Sequence, residues 1–326
     1  RLIEMIGKAK EAGADMTKLQ KRDVESFYTP EELNKPYRSP FGNTLGAYRK
    51  GVELTKELFE IVNDECTRLE IPWFTSVLDW ASYQFMLQFD TPILKLPSTI
   101  SNHKNYLTKV ASDFKGDVVV STGFTDKTYE DFVIEHFSKG RNLFLLQCTS
   151  SYPTPPEACQ IAVVRHYSGI ADKSTGRIFP GYSSHDVGSL GCMLSVAAGA
   201  KMIEKHVKLG DLEWIHFDGV ALDLQKNEFK DFYEKSNFNK FYKKHLKFYK
   251  KINKPTIKEI NKYKNNTKYS KVIASEYIQP LLLYNNKKFH IRVHILFLNN
   301  KGKITWSTNL HGRIFCARTN FINGNY

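Results

Sequence analysis

Three lysines follow short apolar runs in the first 225 residues, namely Lys18, Lys95 and Lys205. If these runs end at one edge of a sheet, the three ammonium groups create a positive potential that suits a phosphorylated or polyanionic substrate. Any one such lysine is equally consistent with a solvated strand end. Hydroxyl groups follow other runs of the same kind and add neutral donors, at Ser98, Ser121, Ser150 and Ser183. Together, the lysines and serines predict an anion-binding site.

Two histidines, His185 and His206, come at the ends of two further apolar runs. Carboxylates lie near them in the sequence, at Asp186, Glu204 and Asp218. Imidazole together with oxygen ligands suits Mn²⁺, and Mg²⁺ is an alternative. A single histidine in such a place is more often a hydrogen-bonded structural residue. The pair therefore favours a site for a divalent metal ion with His185 and His206 as its ligands.

The runs that carry these residues are short, as in parallel strands covered by helices on both faces. They are Met16–Gln20, Trp73–Val77, Ile93–Ser98, Val118–Gly123, Leu143–Thr149, Ile178–His185 and Met202–Val207. Amphipathic stretches separate them, and this alternation indicates a parallel sheet. In a (β/α)8 barrel the carboxyl ends of the strands meet at one mouth, where active sites lie.

A closed barrel of this kind has eight strands. The helical stretch Leu2–Ala12 requires a strand before it, so we expect the first strand to lie upstream of Arg1. The predicted fold is therefore α/β, a (β/α)8 TIM barrel lacking its first strand over residues 1–225, followed by a basic α+β C-terminal region.

Six short motifs hold most of the polar residues at the strand ends. They are Lys18–Gln20 (KLQ), Lys95–Ser98 (KLPS), Ser121–Phe124 (STGF), Cys148–Pro155 (CTSSYPTP), Gly181–His185 (GYSSH) and Ile203–His206 (IEKH). In order and spacing these motifs resemble those of the N-acetylneuraminate (sialic acid) synthase family. Ser184 stands where that family has an aspartate before the histidine, and Asp186 follows it.

The resemblance implies a transferase that condenses phosphoenolpyruvate with an N-acylated amino sugar of the N-acetylmannosamine type. The product would be a nonulosonic acid, with release of phosphate. A divalent metal, Mn²⁺ or Mg²⁺ on His185 and His206, would polarise the sugar aldehyde. The family also implies a homodimer.

The resemblance further implies roles for individual residues. Those implied to hold the phosphate and carboxylate of phosphoenolpyruvate are Lys18, Lys95, Ser98, Ser121, Ser150, Tyr152 and Ser183. Those implied to be catalytic, acting at sugar hydroxyls or a water, are Gln20, Asp79, Glu204 and Asp218. His216 is implied as a further substrate contact.

Composition divides the chain near residue 225. The net charge is +13 over all 326 residues, but it is −4 for residues 1–225 and +17 for residues 226–326. No run of eighteen apolar residues is present, so no membrane span is predicted. The five cysteines are scattered and lack C-x-x-C spacing. Their pattern favours a reducing compartment, and hence a cytoplasmic protein.

Residues 226–270 are predicted to form a basic helical region and a linker. Aromatic residues alternate with lysines from Phe229 to Lys251. Such a pattern can stack on single-stranded nucleic acid, but at this spacing it is more typical of an amphipathic helix. The linker is predicted at Lys262–Ser270, which is polar.

Residues 271–326 are predicted to be β-rich, with turns at Asn285–Asn286 and Asn299–Gly302. The stretches Tyr277–Leu282 and Lys288–Val293 weakly resemble the ATP-grasp segment of tubulin tyrosine ligase-like enzymes. In that resemblance Lys288 and Arg292 would contact phosphate, and His290 replaces an aspartate.

Two alternatives to a synthase follow from these observations. One is a barrel without turnover that acts as a binding or scaffold module beside the basic region. The other is an ATP-dependent ligase whose activity depends on the C-terminal region.

Overall fold

A computed structural model describes residues 1–236, except residues 124 and 175, together with the strands between residues 272 and 317. The chain forms two compact units, Arg1–Phe241 and Tyr242–Tyr326. The helix Glu228–Ser236 belongs to the first unit, since Phe232 is buried in its core beside Tyr182 and Leu222. The composition boundary near residue 225 therefore precedes the last described helix of the first unit.

The first unit is built on a parallel sheet that contains seven of the described strands. They are β1 (Thr17–Lys21), β2 (Trp73–Val77), β3 (Ile93–Leu96), β4 (Asp117–Ser121), β5 (Leu143–Cys148), β6 (Ile178–Ser184) and β7 (Met202–Lys205). Strands that follow each other in this order also pair with each other in the sheet. Every strand predicted from the apolar runs in this part of the sequence is confirmed.

Most of the helices pack on the outer face of the sheet, whereas the three between residues 24 and 52 pack with each other beside a hairpin that follows β1. The described α-helices are Leu2–Glu11, Val24–Phe27, Pro30–Leu33, Leu45–Val52, Lys56–Arg68, Trp80–Met86, Lys104–Asp113, Lys127–Phe137, Ile161–Lys173, Leu190–Ala198 and Glu228–Ser236. Amphipathic spacing explains this packing, because Phe59, Val62 and Cys66 on one face of a single helix are all buried.

The sheet is curled, so that side chains of its first and last strands meet. Lys18 Nζ in β1 lies 2.9 Å from Glu204 Oε1 in β7. Within the described residues β1 and β7 are not paired with each other. The result is a TIM-barrel-like α/β fold with an open side between β1 and β7, which is where the sequence predicts an eighth strand.

Alternate residues of each strand divide the core into two parts. Val118 and Val120 of β4 pack outward against the helices, whereas Val119 packs inward with Phe74 and Leu146. This inner apolar layer forms the floor of the barrel interior below the strand ends. The polar side chains at the strand ends therefore lie above an apolar floor.

A hairpin that the strand pattern did not predict follows β1. Its strands are Pro36–Ser39 and Gly42–Thr44, and they pair antiparallel. The Tyr37 hydroxyl donates to the backbone oxygen of Trp214 at 2.5 Å. This contact ties the hairpin to the loop that comes after β7.

The second unit contains an antiparallel sheet of four described strands, Val272–Glu276, Val293–Asn300, Lys303–Leu310 and Arg313–Ala317. Leu283–Tyr284 pairs with Lys287–Lys288 around the predicted turn at Asn285–Asn286. Arg292 and His290, the linker 262–270 and the aromatic–lysine stretch after residue 236 lie outside the described residues. Among the described helices, none combines the length and the apolar character that crossing a bilayer requires.

Candidate active site

Glu204 in β7 is the centre of an ion-paired cluster at the strand ends. Its carboxylate accepts a hydrogen bond from Lys95 Nζ in β3 and pairs with Lys18 Nζ in β1 at 2.9 Å. The Ser183 hydroxyl in β6 donates to Glu204 Oε1 at 3.4 Å. Lys95 Nζ also donates to Ser121 Oγ in β4 at 2.7 Å. Side chains from five strands therefore converge in the mouth, as the anion-site hypothesis requires.

The cluster carries an excess of positive charge. The Lys95 side chain is 2% exposed, so its ammonium group is taken almost completely out of water. Burial by itself would raise the pKa of Glu204, but the ammonium groups of Lys18 and Lys95 outweigh burial and hold that pKa well below its ordinary value. Burial lowers the pKa of Lys95, and the Glu204 carboxylate opposes that shift, so the two lysines share one carboxylate. The remaining positive charge favours the binding of an anion.

Two serines and a glycine form a second part of the mouth. Ser98 Oγ and Ser150 Oγ are hydrogen-bonded to each other at 2.7 Å. Gly123 follows β4 with a φ of +65°, and a Cβ built there would lie 2.5 Å from Ser98 Cβ and 3.0 Å from Ser150 Oγ. Only glycine fits both the left-handed backbone and this narrow space. The hydroxyl pair therefore sits against bare backbone, an arrangement suited to anionic oxygens.

The two histidines lie side by side at the ends of the paired strands β6 and β7, with ring centroids 5.6 Å apart. His185 Nδ1 donates to the backbone oxygen of Thr149 at 2.7 Å. In the neutral ring Nε2 is then an acceptor, and the Tyr152 hydroxyl donates to it at 2.7 Å. Burial lowers the pKa of His185 to about 4 and lowers the pKa of His206 well below its ordinary value. Both rings are therefore neutral near pH 7, the form that binds metal ions.

The separation of the two rings is compatible with one shared ion. Because a metal–imidazole nitrogen bond is roughly 2.1 Å, rings whose centroids are up to about 6.5 Å apart can bind the same ion. Within the described residues there is no group of three or more histidine, cysteine or carboxylate side chains placed to hold a metal. The two neutral imidazoles by themselves fit part of a divalent-metal site.

Three of the four residues predicted to be catalytic lie outside the lysine cluster that contains Glu204. The Asp79 carboxylate accepts hydrogen bonds from two backbone amides, at 2.7 and 2.8 Å, and caps the helix that follows β2. The Asp218 carboxylate accepts a hydrogen bond from Lys208 Nζ at 2.6 Å. Gln20, at the end of β1, is exposed. The structure brings Glu204 alone of the four into the lysine cluster.

Lys205 does not join Lys18 and Lys95, contrary to the expectation of three lysines at one mouth. Its Nζ donates to Ser184 Oγ at 2.7 Å, on the outer face of the sheet. Adjacent residues of a strand point to opposite faces, so Glu204 faces inward and Lys205 faces the helices. Asp186 lies on the same outer side as Lys205 and is therefore not placed beside the two imidazoles.

Aromatic residues form one wall of the mouth. Of these residues, the sequence predicted only Tyr152 and His216 as part of the site. The rings of Tyr37 and Tyr48 stack at 4.4 Å, and the Trp214 ring meets Tyr48 edge-on at 6.0 Å. The exposed His216 ring lies 5.4 Å from Tyr152, and its Nδ1 is 3.4 Å from the Tyr48 hydroxyl. The hairpin and helix after β1 supply one part of this wall, and the loop after β7 supplies another. Because these segments are distant in sequence, no local pattern indicates the wall.

We expect the stability of the metal-free protein to fall as the pH is lowered from 6.5 to 4. The unfolded His185 side chain has a pKa of about 6.5. In this range His185 is therefore protonated in the unfolded state and stays neutral in the folded state. The pKa of about 4 in the folded protein corresponds to a loss of up to about 3 kcal/mol from this residue.

Urea unfolding in the presence of a chelator, at several pH values between 4 and 8, measures this dependence. The His185→Gln variant should show a shallower decrease than the unmodified protein. Equal pH slopes for the two proteins would contradict the prediction.

Comparison with known proteins supports the resemblance found in the sequence. N-acetylneuraminate-9-phosphate synthase of Mus musculus is 30% identical over 224 residues, which are 67% of this chain and 60% of the mouse protein. Pseudaminic acid synthase of Campylobacter jejuni is 27% identical over 246 residues, which are 70% of this chain and 66% of that protein. The chain thus spans less than two thirds of the length of these relatives.

The fold agrees with that of a solved synthetase. The crystal structure of N-acetylneuraminic acid (sialic acid) synthetase from Leptospira borgpetersenii in complex with citrate gives a TM-score of 0.62 at 21% identity. The match covers 82% of this chain and 86% of that one. The family model described as the NeuB family matches residues 5–245, most of the chain. Together with the barrel and the residues at its mouth, this match shows that the chain belongs to the NeuB family.

Proposed function

We propose that the chain condenses phosphoenolpyruvate with an N-acylated amino sugar to a nonulosonic acid and releases phosphate. The observation that carries the proposal is the cluster of Lys18, Lys95 and Glu204 in the same mouth as His185 and His206. An anion site and a pair of neutral imidazoles are the two parts that this condensation needs, one for each substrate.

The lysine cluster would bind phosphoenolpyruvate. Lys95 and Lys18 carry the charge, and Glu204 fixes both ammonium groups through its two carboxylate oxygens. The hydroxyls of Ser98 and Ser150, which lie close to the Gly123 backbone, would donate to the remaining anionic oxygens. The apolar floor below the cluster excludes water, so these electrostatic interactions are stronger than they would be in solvent.

His185 and His206 would hold a divalent ion, Mn²⁺ or Mg²⁺. Such an ion supplies Lewis-acid polarisation of the sugar aldehyde when it is bound. The Thr149 carbonyl keeps the proton of His185 on Nδ1, which leaves Nε2 free of a proton. The Tyr152 hydroxyl, which donates to that nitrogen, has to turn away for Nε2 to bind anything else. Tyr152 can then donate to a substrate oxygen.

A reaction assay on the full chain tests this function. Phosphate release should require phosphoenolpyruvate, N-acetylmannosamine or its 6-phosphate, and Mn²⁺ or Mg²⁺ together, and should stop on addition of a chelator. Reactions that lack one substrate at a time serve as controls. Binding of phosphoenolpyruvate without phosphate release under any of these conditions would instead support a binding module without turnover.

The cellular setting and the assembly follow from the same proposal. The described cysteines Cys66, Cys148, Cys159 and Cys192 are buried free thiols, which agrees with a reducing, cytoplasmic compartment. The family implies a homodimer. Light scattering on the purified chain measures the molar mass and thereby tests whether it forms a homodimer.

A further inference from the structure

A buried polar network lies behind the mouth, on the outer face of β6. Its centre is the Asp186 carboxylate, which is 5% exposed. Asp186 Oδ1 accepts hydrogen bonds from Tyr182 Oη at 3.0 Å and from Ser184 Oγ at 2.5 Å. Asp186 Oδ2 accepts one from the backbone amide of Gly191 at 3.2 Å. The proposed function uses none of these groups.

Lys205 completes the network from the neighbouring strand. Its Nζ donates to Ser184 Oγ at 2.7 Å and to the backbone oxygen of Asp186. The Ser184 hydroxyl therefore accepts a hydrogen bond from Lys205 and donates one to Asp186, so that it links the partly buried ammonium group to the buried carboxylate. Both charges are compensated within the network, as buried charges have to be.

The surrounding backbone is packed closely onto this carboxylate. A Cβ built at Gly191 would lie 2.7 Å from Asp186 Oδ2, so the helix Leu190–Ala198 can approach only because glycine is present. On the other side, Thr154 forms an isolated parallel bridge with Asp186, and its amide donates to the His185 backbone oxygen at 2.8 Å. The network thus fixes the chain immediately before and after His185.

These contacts determine where the His185 ring points. Tyr182, Ser184 and Asp186 all direct their side chains outward, so His185, which alternates with them, projects into the mouth. If apolar contacts alone held the outer face of this strand end, the strand could twist and the His185 side chain could point elsewhere. Three hydrogen bonds to one carboxylate prevent such a rotation.

We propose that Asp186 is a positioning residue that holds His185 in the orientation needed to bind a metal ion. The proposal rests on the proposed function in one respect, namely that His185 is a metal ligand. It assigns Asp186 a place outside the mouth instead of the ligand position beside the imidazoles. It also explains how the chain tolerates Ser184 before the histidine, since the carboxylate two residues later reaches back to that serine.

The test is the Mn²⁺ affinity of the purified full chain, measured by titration calorimetry with Mn²⁺ alone. Asp186→Ser should weaken Mn²⁺ binding by roughly 10- to 100-fold, the usual cost of losing a residue that orients a metal ligand. Adding Ser184→Asp in the same chain should restore most of the affinity. That carboxylate would face Lys205 directly, because Lys205 Nζ already lies 2.7 Å from Ser184 Oγ.

A second readout needs no metal. Nitrogen NMR of the His185 ring should show a single Nδ1-protonated form in the unmodified protein and a mixture of both tautomers in Asp186→Ser. If Asp186→Ser does not fold, Asp186→Asn keeps the shape of the side chain and should show the same changes to a smaller extent.

The matched control is Asp117→Asn, at the opposite end of the barrel, where the carboxylate accepts two hydrogen bonds from Asn142 at 2.9 Å. It should lower stability without changing the Mn²⁺ affinity. Unchanged affinity and a single tautomer in Asp186→Ser would overturn the proposal, and so would an affinity loss equal to that of the control. If the unmodified protein binds neither Mn²⁺ nor Mg²⁺, the proposed function fails instead, and the tautomer measurement still decides the role of Asp186.

Discussion

Replacing His185 with alanine is expected to reduce kcat/KM for phosphate release by about 1,000-fold or more. The variant removes one of the two imidazoles in the mouth, and with it one of the two proposed side-chain ligands of the ion. Polarisation of a carbonyl by a bound metal contributes several kcal/mol to the transition state, and each 1.4 kcal/mol corresponds to a factor of ten in rate. The measurement is phosphate release at saturating Mn²⁺.

His166→Ala is the matched control for this variant. His166 lies outside the mouth, on the helix Ile161–Lys173, where its Nε2 contacts the Glu130 carboxylate at 2.9 Å. We expect its turnover to stay near that of the unmodified protein. Turnover of His185→Ala within a few-fold of the same level would exclude His185 as a metal ligand. Thermal unfolding of both variants shows whether a loss of activity reflects a loss of structure.

Replacing Glu204 with glutamine is expected to lower the free energy of unfolding by about 3–5 kcal/mol, the range found when one partner of a buried ion pair is removed. The reason is that Lys95 stays buried with no carboxylate to compensate its charge. The glutamine oxygen can still accept a hydrogen bond, so the lost contribution is that of the charge. Urea unfolding near neutral pH measures the change.

The double variant Glu204→Gln with Lys95→Met should recover a large part of the stability, because it removes the unpaired charge as well. Asp131→Asn is the surface control, since Asp131 pairs with Lys127 in solvent and its loss should have little effect. A loss of stability in Glu204→Gln no greater than that of the surface control would show that the cluster does not stabilise the fold.

The sign of the pH dependence follows from the same cluster. The lysines hold the pKa of Glu204 below its value in the unfolded chain, so the stabilisation is complete above the unfolded pKa of about 4.3 and decreases as the pH falls below it. Below that pH, the unmodified protein should therefore approach the stability of Glu204→Gln. The loss of stability due to Glu204 therefore occurs at lower pH than most of the loss due to His185.

The sequence was sufficient for the strands and for much of the mouth. Parallel strands buried on both faces leave short apolar runs, and polar residues at their carboxyl ends stand out against them. Lys18, Lys95, Ser121, Ser183 and Glu204 were all predicted on this basis, and the structure brings them into one cluster. The six motifs that resemble the sialic acid synthase family supported the same positions through their order and spacing.

The carboxylates show where sequence reasoning reached its limit. Asp79 and Glu204 both lie near the carboxyl ends of strands, yet one caps a helix and the other pairs with two lysines. Which of these happens depends on the backbone amides and cations that come close in space. Those partners belong to other parts of the chain, so spacing along the sequence does not reveal them.

The sequence by itself determined which residues stand at the strand ends, because burial imposes a local pattern of apolar runs. The tertiary structure decided which of these residues share the mouth. Lys205 adjoins Glu204 in the sequence, but it faces the helices because side chains alternate along a strand and the sheet curls towards Glu204. The aromatic wall of Tyr48 and Trp214 likewise exists only because folding brings a helix after β1 next to a loop after β7.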